Sequence, residues 1–525
     1  MNNLRQIHCS LRNACVLCKP HVLSSVGVRF SCGDGKTMAR GVVVGLYQKE
    51  GDKDPKLTPA GHKIDQRVQG KLMKAICETK LDGRLGRGKV FHNIDAEFAA
   101  VAVVGVGLEG IGFNELEMLD EGMEFVRVAA GVGARSLQKQ GITNVLVDGM
   151  DYAEQAAEGS QLAVWRFPDN LSKKNMPMVP TLELFESPDH EGWTRASSRR
   201  RPRIWRDAER CPRQLHDAYM FAQTWTTMCP CGITVEDSTK YCIEAQRLNA
   251  FVMIAKGSCE PPVLLELSYC GTAPDDKPIL FVGKGITFNS GALNLRPCRG
   301  MDEYRGSMSA AACCVAMMRC IAALSLPINV TCIIPLCENM PSGMSAKPGD
   351  VVTLLNGKSM AIRDLDKAGV VVLSDPLLYG QKTYLPRLVV DIATLNTGVK
   401  KAFGGGATGI WSNSHYIWKQ FQRAGSISGD RVWRLPLWQY YRRQVTDERA
   451  YDLSNNGRGL ATSCLAAAIL HELVPCVDWA HLDTRGTGLL TKYGLVPYLT
   501  KKRMTGRPTR TLVQFVYQMA CPEMK

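Results

Sequence analysis

Two short stretches hold most of the side chains that could do chemistry together. The first, Gly283-Lys284-Gly285-Ile286-Thr287-Phe288-Asn289-Ser290-Gly291, follows the apolar run Pro278 to Val282, which reads as a buried strand. The second, Arg363-Asp364-Leu365-Asp366-Lys367-Ala368-Gly369-Val370, leads into an apolar segment that reads as a helix. A strand entering a glycine-punctuated loop sets short polar side chains at the carboxyl end of a sheet, where α/β proteins build their sites. The layout is that of a two-metal hydrolytic site, but the carboxylates are too few. Two adjacent divalent cations bring roughly four positive charges, which anionic oxygens must offset.

These stretches closely resemble the signatures of the leucyl aminopeptidase family of two-metal exopeptidases, Gly-Lys-Gly-(apolar)-Thr-Phe-Asp-Ser-Gly-Gly and Asn-Thr-Asp-Ala-Glu-Gly-Arg. The resemblance puts the family's metal-binding lysine on Lys284, its bridging aspartate on Asn289, its catalytic lysine on Arg296 and a further metal aspartate on Ser307. In the second signature the ligand aspartate falls on Asp366, the bridging glutamate on Ala368 and the assisting arginine on Val370. Of the five ligand positions, Lys284 and Asp366 keep their identity. Asn289 is a neutral amide, Ser307 a weak oxygen donor, and Ala368 offers no ligand atom. Without the metals no bound water has a lowered pKa and no Lewis acid polarises a peptide carbonyl. The family would bind two divalent ions, zinc or manganese; here no cofactor is expected, and Asp366 should pair with Lys284 or Arg296 instead. A competing reading is a metal-dependent aminopeptidase of altered activity that holds one metal through Lys284, Asn289 and Asp366.

The likeness continues beyond the site. Pro335-Leu336-Cys337-Glu338-Asn339-Met340-Pro341-Ser342-Gly343, Lys347-Pro348-Gly349-Asp350, Trp479-Ala480-His481-Leu482-Asp483 and Met504 to Arg510 match the family. Asp391 to Leu395 reads as a strand end that in the family lines the substrate cleft, so Thr394, Leu395 and Gly398 are expected cleft residues. The implied fold is α/β in two domains: a smaller N-terminal α/β domain (36–195) and a larger C-terminal α/β/α catalytic-type domain with a central mixed sheet (216–525), joined by a linker at 196–215. Family members are hexamers, so self-association as a homohexamer, or a mixed hexamer with related subunits, is expected. The chain also resembles the insect sperm leucyl aminopeptidase-like proteins, several of which carry damaged sites and are abundant in the mitochondrial derivatives of the sperm tail; that resemblance implies a structural role in the same setting.

Read on its own, the N-terminal part supports the α/β expectation. Gly41 to Tyr47, Ala99 to Val104 and Asn144 to Val147 read as buried strands, and Leu119 to Gln140 as a helix. Gly105-Val106-Gly107-Leu108-Glu109-Gly110 matches a dinucleotide fingerprint, but loop rather than helix follows it, so it reads as a turn. Asn356-Gly357-Lys358-Ser359 imitates the end of a phosphate loop, yet Val352 stands where that motif needs glycine. His471-Glu472 lacks the second histidine of a zincin helix, and no Gly-x-Ser-x-Gly occurs. His481 reads as a core histidine bonded to its neighbours.

The chain has 525 residues, more than one domain's worth, and its 45% hydrophobic and 22% charged content is ordinary for a globular protein. No run of 18 apolar residues occurs, so no membrane insertion is expected. The net charge of +14 is scattered; its one dense run, Arg199-Arg200-Arg201-Pro202-Arg203, reads as a solvated part of the Pro-, Arg- and Ser-rich connection from Asn170 to Pro212, and no nucleic acid is expected. Residues 1–30 contain no Asp or Glu, and Arg5, Arg12 and Lys19 recur opposite Leu4, Ile7, Leu11 and Cys15. That is the pattern of a mitochondrial transit peptide, with cleavage after Phe30 and a matrix or sperm mitochondrial-derivative location; a cytoplasmic tail is the alternative. The 20 cysteines lack framework spacing, and several sit in apolar segments where a free thiol packs as a small hydrophobe.

Overall fold

The computed structural model describes residues 39–48, 55–165, 178–199, 218, 221–222, 232–457, 459–488, 496–499 and 504–522. The transit-peptide reading and most of the arginine run lie outside them.

The first sheet is built on Arg40–Tyr47, whose buried valines pair in parallel with Ala100–Gly107 on one side and Asn144–Asp148 on the other. Thr181–Phe185 adds a parallel strand at one edge and Gly88–His92 an antiparallel strand at the other. Thr181–Phe185 and the helix His190–Arg199 fall inside the stretch expected to be a mere connection. The five-residue strand alternates too weakly among its polar neighbours to stand out in the sequence. The helix Glu121–Lys139 starts where Asp120 accepts a hydrogen bond from the Met123 N–H at 3.0 Å, and it packs closely on Ala153–Val164. Between the strand ending at Gly107 and this helix, Gly107 and Gly110 have φ of 87° and 75°, a turn as expected.

The larger sheet runs in the order Val432–Arg434, Thr408–Ser412, Asp478–Asp483, Leu388–Ala393, Ile279–Gly283, Asn329–Asn339, Val263–Cys270, Ile233–Ser238, with Gly285–Asn289 also pairing with Asn329–Asn339. Its centre is parallel; Thr408–Ser412 joins antiparallel on one side and Val263–Cys270 and Ile233–Ser238 on the other, while the edge strand Val432–Arg434 is parallel to its neighbour, so the sheet is mixed. Central strands are buried and largely apolar because both faces are covered. Ile279 and Phe281 enter a core with the helices Ser309–Ala323 and Thr509–Ala520, while Leu280 and Val282 enter the opposite core with Ala368–Tyr384 and Thr462–His471. This is the α/β/α layering expected. With its preceding 3-10 turn, Met301–Ala323 is long and apolar enough to cross a membrane, but its helical part is packed in the first of these cores.

The two sheets are tied together by charges. Arg510 bonds Glu158 at 3.0 Å and pairs with Asp430, which Arg507 reaches at 2.8 Å. Arg127, 1% exposed, bonds Glu158 at 2.8 Å and the Ile427 carbonyl at 2.5 Å. Asn356 to Lys358 form the turn of a hairpin between Val351–Thr353 and Ser359–Ala361, with Gly357 at φ 87°.

Candidate functional site

The parallel strands Ile279–Gly283 and Leu388–Ala393 end side by side, and the Lys284 N–H continues their ladder to the Ile392 carbonyl at 2.9 Å. The chain after each strand therefore meets over one cavity of about 350 Å³. The start of the Ala368–Tyr384 helix closes it. Gly369 permits that approach, since a Cβ there would lie 2.6 Å from Leu395 Cδ2 and 3.1 Å from Lys284 Cε.

Lys284, Asn289, Arg296, Ser307, Asp366, Val370, Thr394 and Leu395 all line this cavity. The expected positions thus converge, with two exceptions. Ala368 is fully buried in the core beneath the helix start. Gly398 is not among the lining residues: its N–H caps onto Asn396 Oδ1 at 2.8 Å, and a Cβ there would meet Ser463 Oγ. The resemblance implied a cleft position for Gly398; in this structure Thr397 lines the cavity.

Each side chain at a ligand position is engaged by protein. Lys284, 2% exposed, donates to the Thr394 carbonyl at 2.8 Å and to Ser307 Oγ at 3.2 Å. Burial, together with Arg485 and Arg296, pushes its pKa down to about 7. Asn289 Oδ1 accepts from the Gly291 N–H at 3.0 Å and from Asn339 Nδ2 at 2.8 Å, while its own Nδ2 donates to the Asp366 carbonyl at 3.3 Å. Asn339 also donates to the Leu365 carbonyl at 2.9 Å, so two amides lock the two signature stretches together. Asp366 forms an ion pair with Arg296, the pairing expected in place of metals. Burial raises the Asp366 pKa and Arg296 opposes that rise; burial likewise lowers the Arg296 pKa against the pull of Asp366. A guanidinium facing a carboxylate favours the charged form of each, so we take the pair as ionised.

This donor set does not fit two divalent cations. The only carboxylate at a ligand position faces a guanidinium, the amide oxygen of Asn289 already accepts two hydrogen bonds, and Ser307 accepts from Lys284. Among the described residues no group of three or more His, Cys, Asp or Glu could hold a metal ion.

Sequence reasoning missed Tyr304, Lys401 and Arg485. The Arg296 and Arg485 guanidinium carbons lie 3.4 and 4.6 Å from the centroid of the Tyr304 ring. Arg485 stands two residues past the matched Trp479 to Asp483 segment, a signal that was available; nothing local marks Tyr304. His481 is the core residue expected: 1% exposed, it bonds Asp391 Oδ1 at 2.5 Å and stacks on Trp411 at 5.4 Å. Burial lowers its pKa and Asp391 more than reverses this, leaving it raised.

Two family models match the chain. One, described as the cytosol aminopeptidase family catalytic domain, covers residues 203–513, and the other, that family's N-terminal domain, covers 43–174. The cytosol aminopeptidase of Xenopus tropicalis is 37% identical over 498 residues, 92% of this chain and 94% of that protein. That of Sus scrofa is 38% identical over 498 residues, 93% and 94% of the two chains. Among solved structures, the bottromycin maturation enzyme BotP in complex with Mn superposes with a TM-score of 0.78 at 23% identity, covering 92% of this chain and 100% of that one, which speaks for the fold. Similarity of this extent, across both sheets and through the cavity between the two signature stretches, places the chain in the cytosol aminopeptidase family.

Proposed function

We propose that this chain is a catalytically inactive member of its family, kept for its shape and its association with other subunits. One observation carries the reading: Asp366, the sole carboxylate among the family's ligand positions, is ion-paired with Arg296. A hydrolase of this type needs metal-bound water as nucleophile and metal as polariser, and losing either removes several kcal/mol of transition-state stabilisation. A single-metal enzyme would need Lys284, Asn289 and Asp366 to offer free donor atoms to one point. The hydrogen bonds of Lys284 and Asn289 and the Arg296 pair argue against it.

The subunit is proposed to assemble as a hexamer, of identical or related chains, since closed symmetry needs only a self-complementary surface and no chemistry. Its location is proposed to be mitochondrial, with residues 1–30 as the transit peptide, and its role that of packing material, as in sperm mitochondrial derivatives. The acid-free basic N-terminus and the 20 cysteines favour that setting. Hydrolysis of a leucyl amide by purified protein, with manganese or zinc added, tests the central point. We expect no release above the uncatalysed rate; turnover that rises with added metal and disappears in Asp366→Ala would establish the enzyme reading.

A further inference from the structure

The cavity that would have held cations is itself strongly cationic. Among the described residues, Lys284, Arg296, Lys367, Lys401 and Arg485 line it, against the single carboxylate of Asp366. Asp366 is committed to Arg296, and Lys367 lies 3.6 Å from Asp364 outside the cavity. Among the described residues neither Lys284 nor Arg485 has an ion-pair partner, and Lys284 is 2% exposed. Arg296 and Arg485 are held against one ring, that of Tyr304, so two like charges are kept near each other by cation–π contacts. Partly buried cations left without an anion are costly, and an anion entering the cavity would relieve that cost.

The rest of the lining fixes what sort of anion fits. Leu395, Leu465, Ala466 and Ile469 form an apolar wall, with Leu465 and Ile469 at 2% and 1% exposure. A volume of about 350 Å³ suits a small molecule rather than a bare ion. Guanidinium groups present paired donors that match the two oxygens of a carboxylate.

We propose that the cavity binds a small carboxylate bearing a short apolar tail, with the carboxylate at the Arg485 guanidinium beside Arg296 and the tail against Leu395, Leu465 and Ile469. This rests on the reading that no metals occupy the cavity. The head group recognised is thereby an anion, where a metal would polarise a peptide carbonyl.

Titration calorimetry on the full chain tests it, with hexanoate, N-acetyl-leucine, acetate, inorganic phosphate and leucinamide as probes. Metal content and leucyl amide hydrolysis are measured on the same preparation. Hexanoate and N-acetyl-leucine should saturate one site, acetate and phosphate should bind at least about tenfold more weakly, and leucinamide should not bind. Arg485→Gln should weaken hexanoate by about tenfold or more, the loss of one charge-assisted contact. Lys401→Gln, at the exposed rim, should weaken it less and guards against a folding defect in the first variant. Phosphate binding as tight as hexanoate, leucinamide binding, or indifference to both variants would overturn the proposal. Metal-free, inactive protein that ignores every carboxylate sinks this inference alone; metal-loaded, active protein sinks the reading beneath it.

Discussion

At the scale of single residues, the site is defined by what has been exchanged. An aspartate position that holds an amide no longer repels Asp366, so the loop of Asp366 can be drawn in by Asn289 and Asn339 and its carboxylate given to Arg296. Arg296→Ala would strand that carboxylate partly buried and remove the contact with Tyr304; a loss of about 1–2 kcal/mol is expected in urea unfolding. An unchanged midpoint would mean that the pair contributes nothing. Asp375 offers a pH-dependent test away from the cavity. It is fully buried and accepts from the Ala250 N–H at 2.6 Å and the Leu355 N–H at 3.0 Å, yet burial raises its pKa to about 6. A folded pKa above the unfolded value means that the folded state binds the extra proton, so this group's contribution is greatest below about pH 4 and falls as pH rises through about 6. The stability of wild type relative to Asp375→Asn should therefore rise by about 2 kcal/mol as pH falls from 6 to 4. A relative stability that falls over this range would contradict the assignment.

At the scale of elements, the scaffold depends on close approaches that glycine alone permits. Where the Glu121–Lys139 and Ala153–Val164 helices cross, a Cβ on Gly159 would lie 2.0 Å from the Arg127 carbonyl oxygen, a backbone atom that cannot turn aside. Gly159→Ala should cost about 3 kcal/mol, read from the denaturation midpoint, because the helices must separate. A shift within error would show that they slide apart freely. Elements of this kind were legible to different degrees in the sequence. The Ile279–Gly283 and Leu388–Ala393 strands and the Glu121–Lys139 helix announce themselves by continuous apolar runs or by an acidic cap. Thr181–Phe185 is short and half exposed, so its pairing with Asn144–Asp148 follows from tertiary position, which a linear pattern does not carry. The same holds within the site. Lys284, Asn289 and Asp366 belong to signature stretches, whereas Tyr304 reaches the cavity from the 3-10 turn Met301–Met308 and Arg485 from the turn after Asp478–Asp483, and they gain their meaning only by meeting.

At the scale of the whole molecule, an inert cavity and an intact scaffold are compatible because they draw on different residues. The two sheets are joined by the buried cluster of Arg127, Glu158, Asp430, Arg507 and Arg510, none of which lines the cavity. Asp430→Ala would leave two buried guanidiniums without their shared anion and should cost about 3–5 kcal/mol, seen as a lower unfolding midpoint. A variant as stable as wild type would remove the cluster from the account of how the sheets are held. Light scattering on wild type should give a hexamer, and a monomer would contradict the proposed assembly. The measurement that bears most directly on the central claim is the metal content of the folded protein after dialysis against manganese or zinc. The account expects almost no bound metal per chain, with Asp366→Ala indistinguishable from wild type; close to two equivalents, lost in that variant, would contradict it.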